Sequence, residues 1–194
     1  MPDKDPRGDM SSYLQNLVKK VVKSGFNVDR RDSAAVYNNS DFVEKARNFL
    51  TWTYIGEPAF RRHLENLIDS DTKIFDGGSA GGRVSLLFTE MGADPHNIVG
   101  VEIAEAQVEK ARIVLPGADF RVGSVADPLP EVDYFDIAVS NMVTEFLDKA
   151  TFESALRSMY SAMKPGGTGV FITTHPDRFT KKHGVTEEGY FKSS

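Results

Sequence analysis

The sequence predicts an α/β fold, in which a mostly parallel, twisted sheet carries helices on both faces and a helical segment precedes it. Three observations support this. From Asp71 onward, short apolar runs rich in β-branched residues alternate with stretches of helical periodicity, the pattern of parallel strands joined by crossover helices. A glycine cluster, Asp76-Gly77-Gly78-Ser79-Ala80-Gly81-Gly82, stands directly behind the first run, where such a sheet turns into its first helix and ligands gather. Before Asp71 the apolar residues recur at helical spacing.

Composition narrows the class further. A chain of 194 residues is long enough for one domain with a real core. At 40% hydrophobic and 26% charged residues it has the balance of a globular protein. The net charge of -5 offers no general attraction to nucleic acid, so nucleic acid is not an expected partner. The absence of cysteine excludes disulfides, thiolate metal sites and a cysteine nucleophile, and no metal centre is expected. No apolar stretch reaches the roughly 20 residues that span a bilayer, and "MPDKDPRGDM" lacks the apolar core of a secretory signal. The expected location is cytoplasmic, with no membrane contact.

Taken in order, residues 1–9 read as a polar tail. From Ser11, Leu14, Leu17, Val18, Val21 and Val22 trace an amphipathic helix with Lys19, Lys20 and Lys23 on its solvated face, stopped by Ser24-Gly25. Residues 27–40 are irregular and carry Tyr37. Ser40 or Asp41 caps a second helix through Phe42, Ala46, Phe49 and Leu50. Gly56 breaks that pattern, and Pro58 opens a third helix, "PAFRRHLENLI", with Phe60, Leu64, Leu67 and Ile68 on one face. Residues 1–70 are therefore expected to form an N-terminal helical lid, and 71–194 the sheet domain.

Five strands follow: "KIF" to Asp76, "NIVGVEI" to Ile103, "DFRVGS" to Ser124, "FDIAVSN" to Asn141 and "TGVFITTH" to His175. Helices are expected from about Arg83 to Met91, Glu105 to Val114 and Thr151 to Met163. The two prolines of "DPLPEVDYFD" argue against a crossover helix between the third and fourth strands. In "MKPGGTG", Pro165 and two glycines end the last helix and turn the chain into the fifth strand.

The glycine turn does not satisfy G-x-G-x-x-G, because the third position is Ser79 counted from Gly77 and Ala80 counted from Gly78. No Gly-Lys-Ser/Thr follows, so the phosphate loop of nucleotide hydrolases is absent too. A carboxylate at the strand end would moreover repel a pyrophosphate. What the stretch fits is Asp-x-Gly-x-Gly-x-Gly with Ala80 at the middle glycine. This resembles the first motif of class I S-adenosylmethionine-dependent methyltransferases, a Rossmann-like fold.

The resemblance continues in order along the chain. "VGVEIAEAQVEKAR" is similar to the family's second strand and helix, "FRVGSVADPLP" to its third strand and adenine loop, "FDIAVSN" with "MVTEFL" to strand four and its loop, and "LRSMYSAMKPGGTGVFIT" to the last helix, turn and fifth strand. It implies S-adenosyl-L-methionine as cofactor. Asp76 and a glycine carbonyl of the loop would face the ammonium of its methionine moiety, Glu102 its ribose hydroxyls and Ile103 its adenine, with Gly78, Ser79, Ala80 and Gly82 as further cofactor-binding candidates. Ser124 and Val125 would lie in the adenine loop, where Ser124 replaces the usual aspartate and Asp127 is the other candidate acceptor. Ser140 and Asn141 would border the methionine end. Tyr37, in "AAVYNNSDF", resembles a tyrosine that closes over the site. Taken singly, Asp76 and Glu102 also suit helix capping and Ile103 suits a core position.

The implied reaction is in-line transfer of a methyl group to a small-molecule acceptor. A base is needed where that acceptor starts protonated. His175, at the predicted end of strand five, titrates near neutral pH and is the first candidate; Glu145 is the second. The tail after His175 has room for one short strand, not for the antiparallel hairpin that normally completes the family's sheet, so either a minimal variant or a truncated piece of a longer protein is expected. The alternative is a cofactor-binding partner subunit without turnover.

Overall fold

The computed structural model describes Trp52 and residues 56–173. Helix α1, Glu57–Leu64, begins with Pro58 in its first turn, where the missing N–H costs nothing and the fixed φ suits a helix. It is shorter than its sequence pattern. Beyond Leu64 the chain tightens into a 3-10 turn, Glu65–Leu67, that leaves Leu67 exposed while Ile68 stays in the core. The expected helices before Gly56 lie outside the described residues.

The sheet is built from β1 (Ile74–Gly77), β2 (Ile98–Glu102), β3 (Asp119–Val122), β4 (Phe135–Asn141) and β5 (Met163–Ile172). Its order is β3-β2-β1-β4-β5, with every pairing parallel. The crossovers are α2 (Arg83–Glu90), α3 (Glu105–Val114) and α4 (Lys149–Ala162). The link from β3 to β4 contains no helix, as its prolines predict. The last helix starts earlier than its apolar pattern suggests, because Asp148 caps it through Thr151 N–H at 2.7 Å.

Alternation along the strands divides the core between the two faces of the sheet. Ile74, Ile98, Phe120, Ile137 and Val139 pack with Phe60, Leu64, Val84, Leu87, Phe88, Val108 and Ala111 of the first three helices. Phe75, Val99, Val101, Phe135 and Ala138 pack with Met159 and Ala162 of α4. Ring contacts hold both layers, Phe60 on Phe88 edge to face at 5.8 Å and Phe75 on Phe135 at 5.6 Å. Gly100 is needed inside β2, since a Cβ there would lie 2.5 Å from Phe120 Cδ1.

The segment Lys164–Gly167 is not a turn outside the sheet. It is an extended bulge within β5: the register runs from Phe135↔Met163 to Ile137↔Thr168, so the β5 side takes up the extra residues. Gly166 sits at φ 83. Asp136 pins the bulge, its Oδ1 accepting from Lys164 Nζ at 2.6 Å and its Oδ2 from Lys73 N–H at 2.9 Å.

After β3 the chain returns to the other side of β1. Strand order therefore reverses between β1 and β4, and the loops after these two strands meet at the carboxyl end of the sheet. That is where ligands enter an open α/β sheet.

Candidate functional site

Three loops and a helix start surround this crevice. Behind β1, Gly78 and Gly82 adopt left-handed φ values of 81 and 80, and Ala80 between them one of 44. The first two suit glycine, which carries no Cβ to clash. At Ala80 the chain holds an L residue in a conformation that such residues rarely take. The loop is tied to β2 by Gly78 N–H and Ser79 N–H, which both donate to Val101 O, at 2.8 and 3.1 Å.

Asp76, near the end of β1, is fully buried. Its Oδ2 accepts from the Ser85 hydroxyl at 2.7 Å, whereas its Oδ1 has no hydrogen-bond partner. Burial pushes the carboxyl up to about 7; bonds from Ser85 pull the other way and the nearby Glu102 charge adds to the rise. Asp76 is not the N-cap residue of α2, which is Gly82, but the Ser85 backbone N–H in the first turn of that helix also bonds its carboxylate.

Glu102 closes β2 and is also buried. Its two oxygens reach two separate segments: Oε2 accepts from Ala80 N–H at 3.1 Å and Oε1 from Ala104 N–H at 2.9 Å. One carboxylate thus fastens the glycine loop to the start of α3. Burial raises its carboxyl above the ordinary range, and the amides of Ala104, Ala80 and Ile103 oppose that rise. The capping role and a place in the crevice are both open to Glu102, because an accepting oxygen has more than one lone pair. Ile103, next along, is 47% exposed, so it is an apolar surface beside the carboxylate and not a core residue.

In the loop after β3, Gly123 N–H donates to Glu102 O at 3.0 Å, which brings Ser124 and Val125 alongside. The Ser124 hydroxyl accepts from Ala126 N–H at 3.1 Å, and Asp127 Oδ2 accepts from Ser124 N–H at 3.2 Å. Serine and aspartate therefore form one local turn, with the Asp127 carboxylate folded back onto position 124.

On the other side of the crevice, β4 ends with buried Ser140 and half-buried Asn141. Met142 takes a left-handed φ of 58, and its N–H donates to Ile172 O at 2.7 Å. Val143 then lies against Gly78, in the space a Cβ there would occupy. The Thr144 hydroxyl donates to Thr173 Oγ1 at 2.8 Å, joining this loop to the end of β5. Glu145 stands in the short 3-10 turn Thr144–Phe146. Tyr37 and His175 lie outside the described residues.

The structure thus brings together Asp76, Gly78, Ser79, Ala80, Gly82, Glu102, Ile103, Ser124, Val125, Ser140 and Asn141 at one end of the sheet. Sequence reasoning missed Ser85 and Val143. A signal existed for Ser85, a hydroxyl on the otherwise apolar buried face of α2; none existed for Val143, which looks like any other apolar loop residue. Among the described residues no group of His, Asp and Glu could hold a metal ion, and no helix is long and apolar enough to cross a membrane.

A family model described as "Methyltransferase domain" matches residues 75–171. Among solved structures, the chain is similar to a TehB-like SAM-dependent methyltransferase from Corynebacterium glutamicum, at 26% identity and a TM-score of 0.56, over 69% of this chain and 73% of that one. It is also similar to an S-adenosylmethionine-dependent methyltransferase from Mesorhizobium loti, at 24% identity and a TM-score of 0.57, over 69% of this chain and 58% of that one. A third, DhpI in complex with SAH, has 17% identity and a TM-score of 0.59, over 73% and 68% of the two chains. The last two likenesses are of fold alone.

Proposed function

Because this chain belongs to the methyltransferase domain family whose model spans residues 75–171, we propose that it transfers a methyl group from S-adenosyl-L-methionine to a small-molecule acceptor by in-line displacement. The observation that supports this most is the pair of buried carboxylates at adjacent strand ends. Asp76 leaves one oxygen without a donor, and Glu102 fastens the glycine loop through Ala80 N–H.

The residues fit the cofactor on grounds of their own. An orphaned, buried acceptor suits an ammonium group, which brings both donors and charge. A pyrophosphate would find only like charge there. Glu102 is suited to a ribose diol, since a carboxylate accepts from both hydroxyls. The exposed side of Ile103 is suited to a flat base, with Ser124, Val125 and Asp127 at its edge. Gly78 and Gly82 give the loop the left-handed backbone that bends it round this end, their Cβ positions being filled by Val143 and by Ala111 and Phe120 of the protein itself.

When bound, the cofactor supplies a methyl group on sulfonium, already an activated donor, so the protein has mainly to align and to exclude water. Asp76 and the glycine loop fix the methionine end. Glu102 and Ile103 fix the nucleoside end. Ser140 and Asn141, with the Met142–Val143 turn, border the methyl side. The N-terminal segment is the proposed lid over this crevice, with Tyr37 as its contact, and 71–194 the cofactor domain; α1, within residues 1–70, packs instead in the core of that domain through Phe60 and Leu64. His175 is the proposed base for an acceptor that starts protonated, with Glu145 as the other candidate. The acidic balance of the chain favours a small acceptor over nucleic acid.

Calorimetry with S-adenosylmethionine, S-adenosylhomocysteine and NAD tests the cofactor, and methyl transfer from labelled cofactor into a metabolite extract tests the acceptor. Binding of the first two and label in a small molecule are expected. Binding of NAD with neither sulfur compound would refute the proposal. Label appearing only in protein or RNA would refute the acceptor class, and binding without transfer would fit a partner subunit instead.

A further inference from the structure

Asp76 is a carboxyl in a place where an anion would stand unbalanced. It is wholly buried, with one oxygen satisfied by a hydroxyl and the other unsatisfied. Its register neighbours in the sheet are Gly100 on β2 and Val139 on β4, neither charged. From the end of β2 the nearby titratable group is the Glu102 carboxylate, of the same sign. From α2 it meets Ser85; Arg83, on the same helix, is exposed and holds its guanidinium over the Trp52 ring, 5.2 Å from the centroid. The glycine loop, Gly77–Gly82, carries no titratable side chain. Among the described residues no cation balances Asp76.

We propose that binding of the cofactor's amino-acid end is coupled to the loss of one proton from Asp76, so that the site takes up an ammonium group as its carboxyl ionises. This rests on the function proposed above. In the ligand-free protein the neutral carboxyl is the cheaper species to bury. An ammonium beside Oδ1 reverses the balance, because it supplies the missing donor and a compensating charge together. The O–H bond of the carboxyl breaks, the proton leaves to solvent, and the carboxylate keeps the electron pair and accepts from the ammonium. The rise of the free carboxyl to about 7 sets the range in which this exchange operates. Below that pH, affinity falls about tenfold for each pH unit, since each unit lowers the ionised fraction tenfold.

The coupling has a practical use for the protein. A permanently ionised Asp76, repelled by Glu102 across the same loop, would strain the empty site. Carrying a proton when empty, the site keeps its shape and still offers an anion to a cationic ligand.

The test is titration calorimetry of the full chain with S-adenosylhomocysteine, at pH about 6 and about 8.5, in buffers of different ionisation enthalpy. Release of about one proton at the lower pH, close to none at the higher, and affinity weaker by about tenfold at the lower pH are expected. Ser85→Ala, which removes a bond that favours the carboxylate, moves the midpoint of this dependence to higher pH. Asp76→Asn abolishes the release in whatever binding persists. Wild-type binding with buffer-independent heat at pH 6, or equal release from Asp76→Asn, overturns the coupling alone. No binding at either pH overturns the proposed cofactor as well.

Discussion

The side chain of Val143 occupies the space that a Cβ on Gly78 would need. The two residues come from the loops after β4 and β1, the strands between which the order of the sheet reverses. Their contact closes one wall of the crevice, and it makes Gly78 irreplaceable for two separate reasons: the neighbour is too close, and φ is 81.

Those two reasons can be separated. Gly78→Ala should cost about 2 to 4 kcal/mol, from crowding against Val143 and from an L residue held at left-handed φ. Adding Val143→Ala should return the crowding part, about 1 to 2 kcal/mol, and leave the backbone part. Urea unfolding of the single and double variants reads both. A double variant no more stable than Gly78→Ala would show that Val143 is not the obstacle.

Ala80 offers the opposite experiment. Its φ of 44 strains an L residue, and glycine would remove about 1 kcal/mol or more of that strain while loosening the unfolded chain by about 0.4 to 1 kcal/mol. Ala80→Gly should therefore be neutral to about 1 kcal/mol more stable in denaturant melts. A clear loss of stability would mean that the alanine methyl makes a contact worth more than the strain.

Glu102 bonds two amides with two oxygens, and glutamine can accept with one. Glu102→Gln should leave a buried N–H facing an NH₂ group, at a cost of about 1 to 3 kcal/mol. Loosening of the glycine loop should weaken S-adenosylhomocysteine by tenfold or more. Retained affinity in calorimetry, with the melt unchanged, would remove Glu102 from the site.

The raised carboxyl of Asp76 makes a prediction for the ligand-free protein. Between the ordinary aspartate range near 3.8 and its own value of about 7, the folded chain holds a proton that the unfolded chain has lost. Stability contributed by that proton is present at low pH and declines as pH rises to about 7, by an amount on the order of a few kcal/mol. Asp76→Asn should flatten this part of the curve and make the variant more stable than wild type at pH 8. Urea midpoints for the two proteins at pH 5 and pH 8 give the comparison; parallel curves would contradict it.

Much of this architecture was legible because it rests on local pattern. Runs such as "NIVGVEI" and "FDIAVSN" are too apolar to be half-exposed strands, and they became the inner strands β2 and β4. The prolines of "DPLPEVDYFD" kept a helix out of the β3–β4 link. The failure of the glycine turn to match pyrophosphate spacing, with Asp76 before it and Glu102 one strand later, pointed to the carboxyl end of the sheet, where the structure gathers these residues. Element ends were less legible. Lys164–Gly167 carries every sign of a turn, yet pairing with β4 and the clamp of Asp136 draw it into β5 as a bulge.

By itself, then, the sequence determined the strand and helix pattern, the parallel sheet and the carboxylates at the ends of its first two strands, because these follow from periodicity and spacing over a few residues. Only the tertiary structure decided that Ser85 would satisfy one oxygen of Asp76 and leave the other bare, that Glu102 would join the glycine loop to α3, that Ala80 would take a left-handed turn and that Val143 would wall off Gly78. Each depends on groups far apart in the chain that parallel pairing carries into contact. The protonation of a buried carboxyl is set by those neighbours and by the exclusion of water, and no local pattern encodes either.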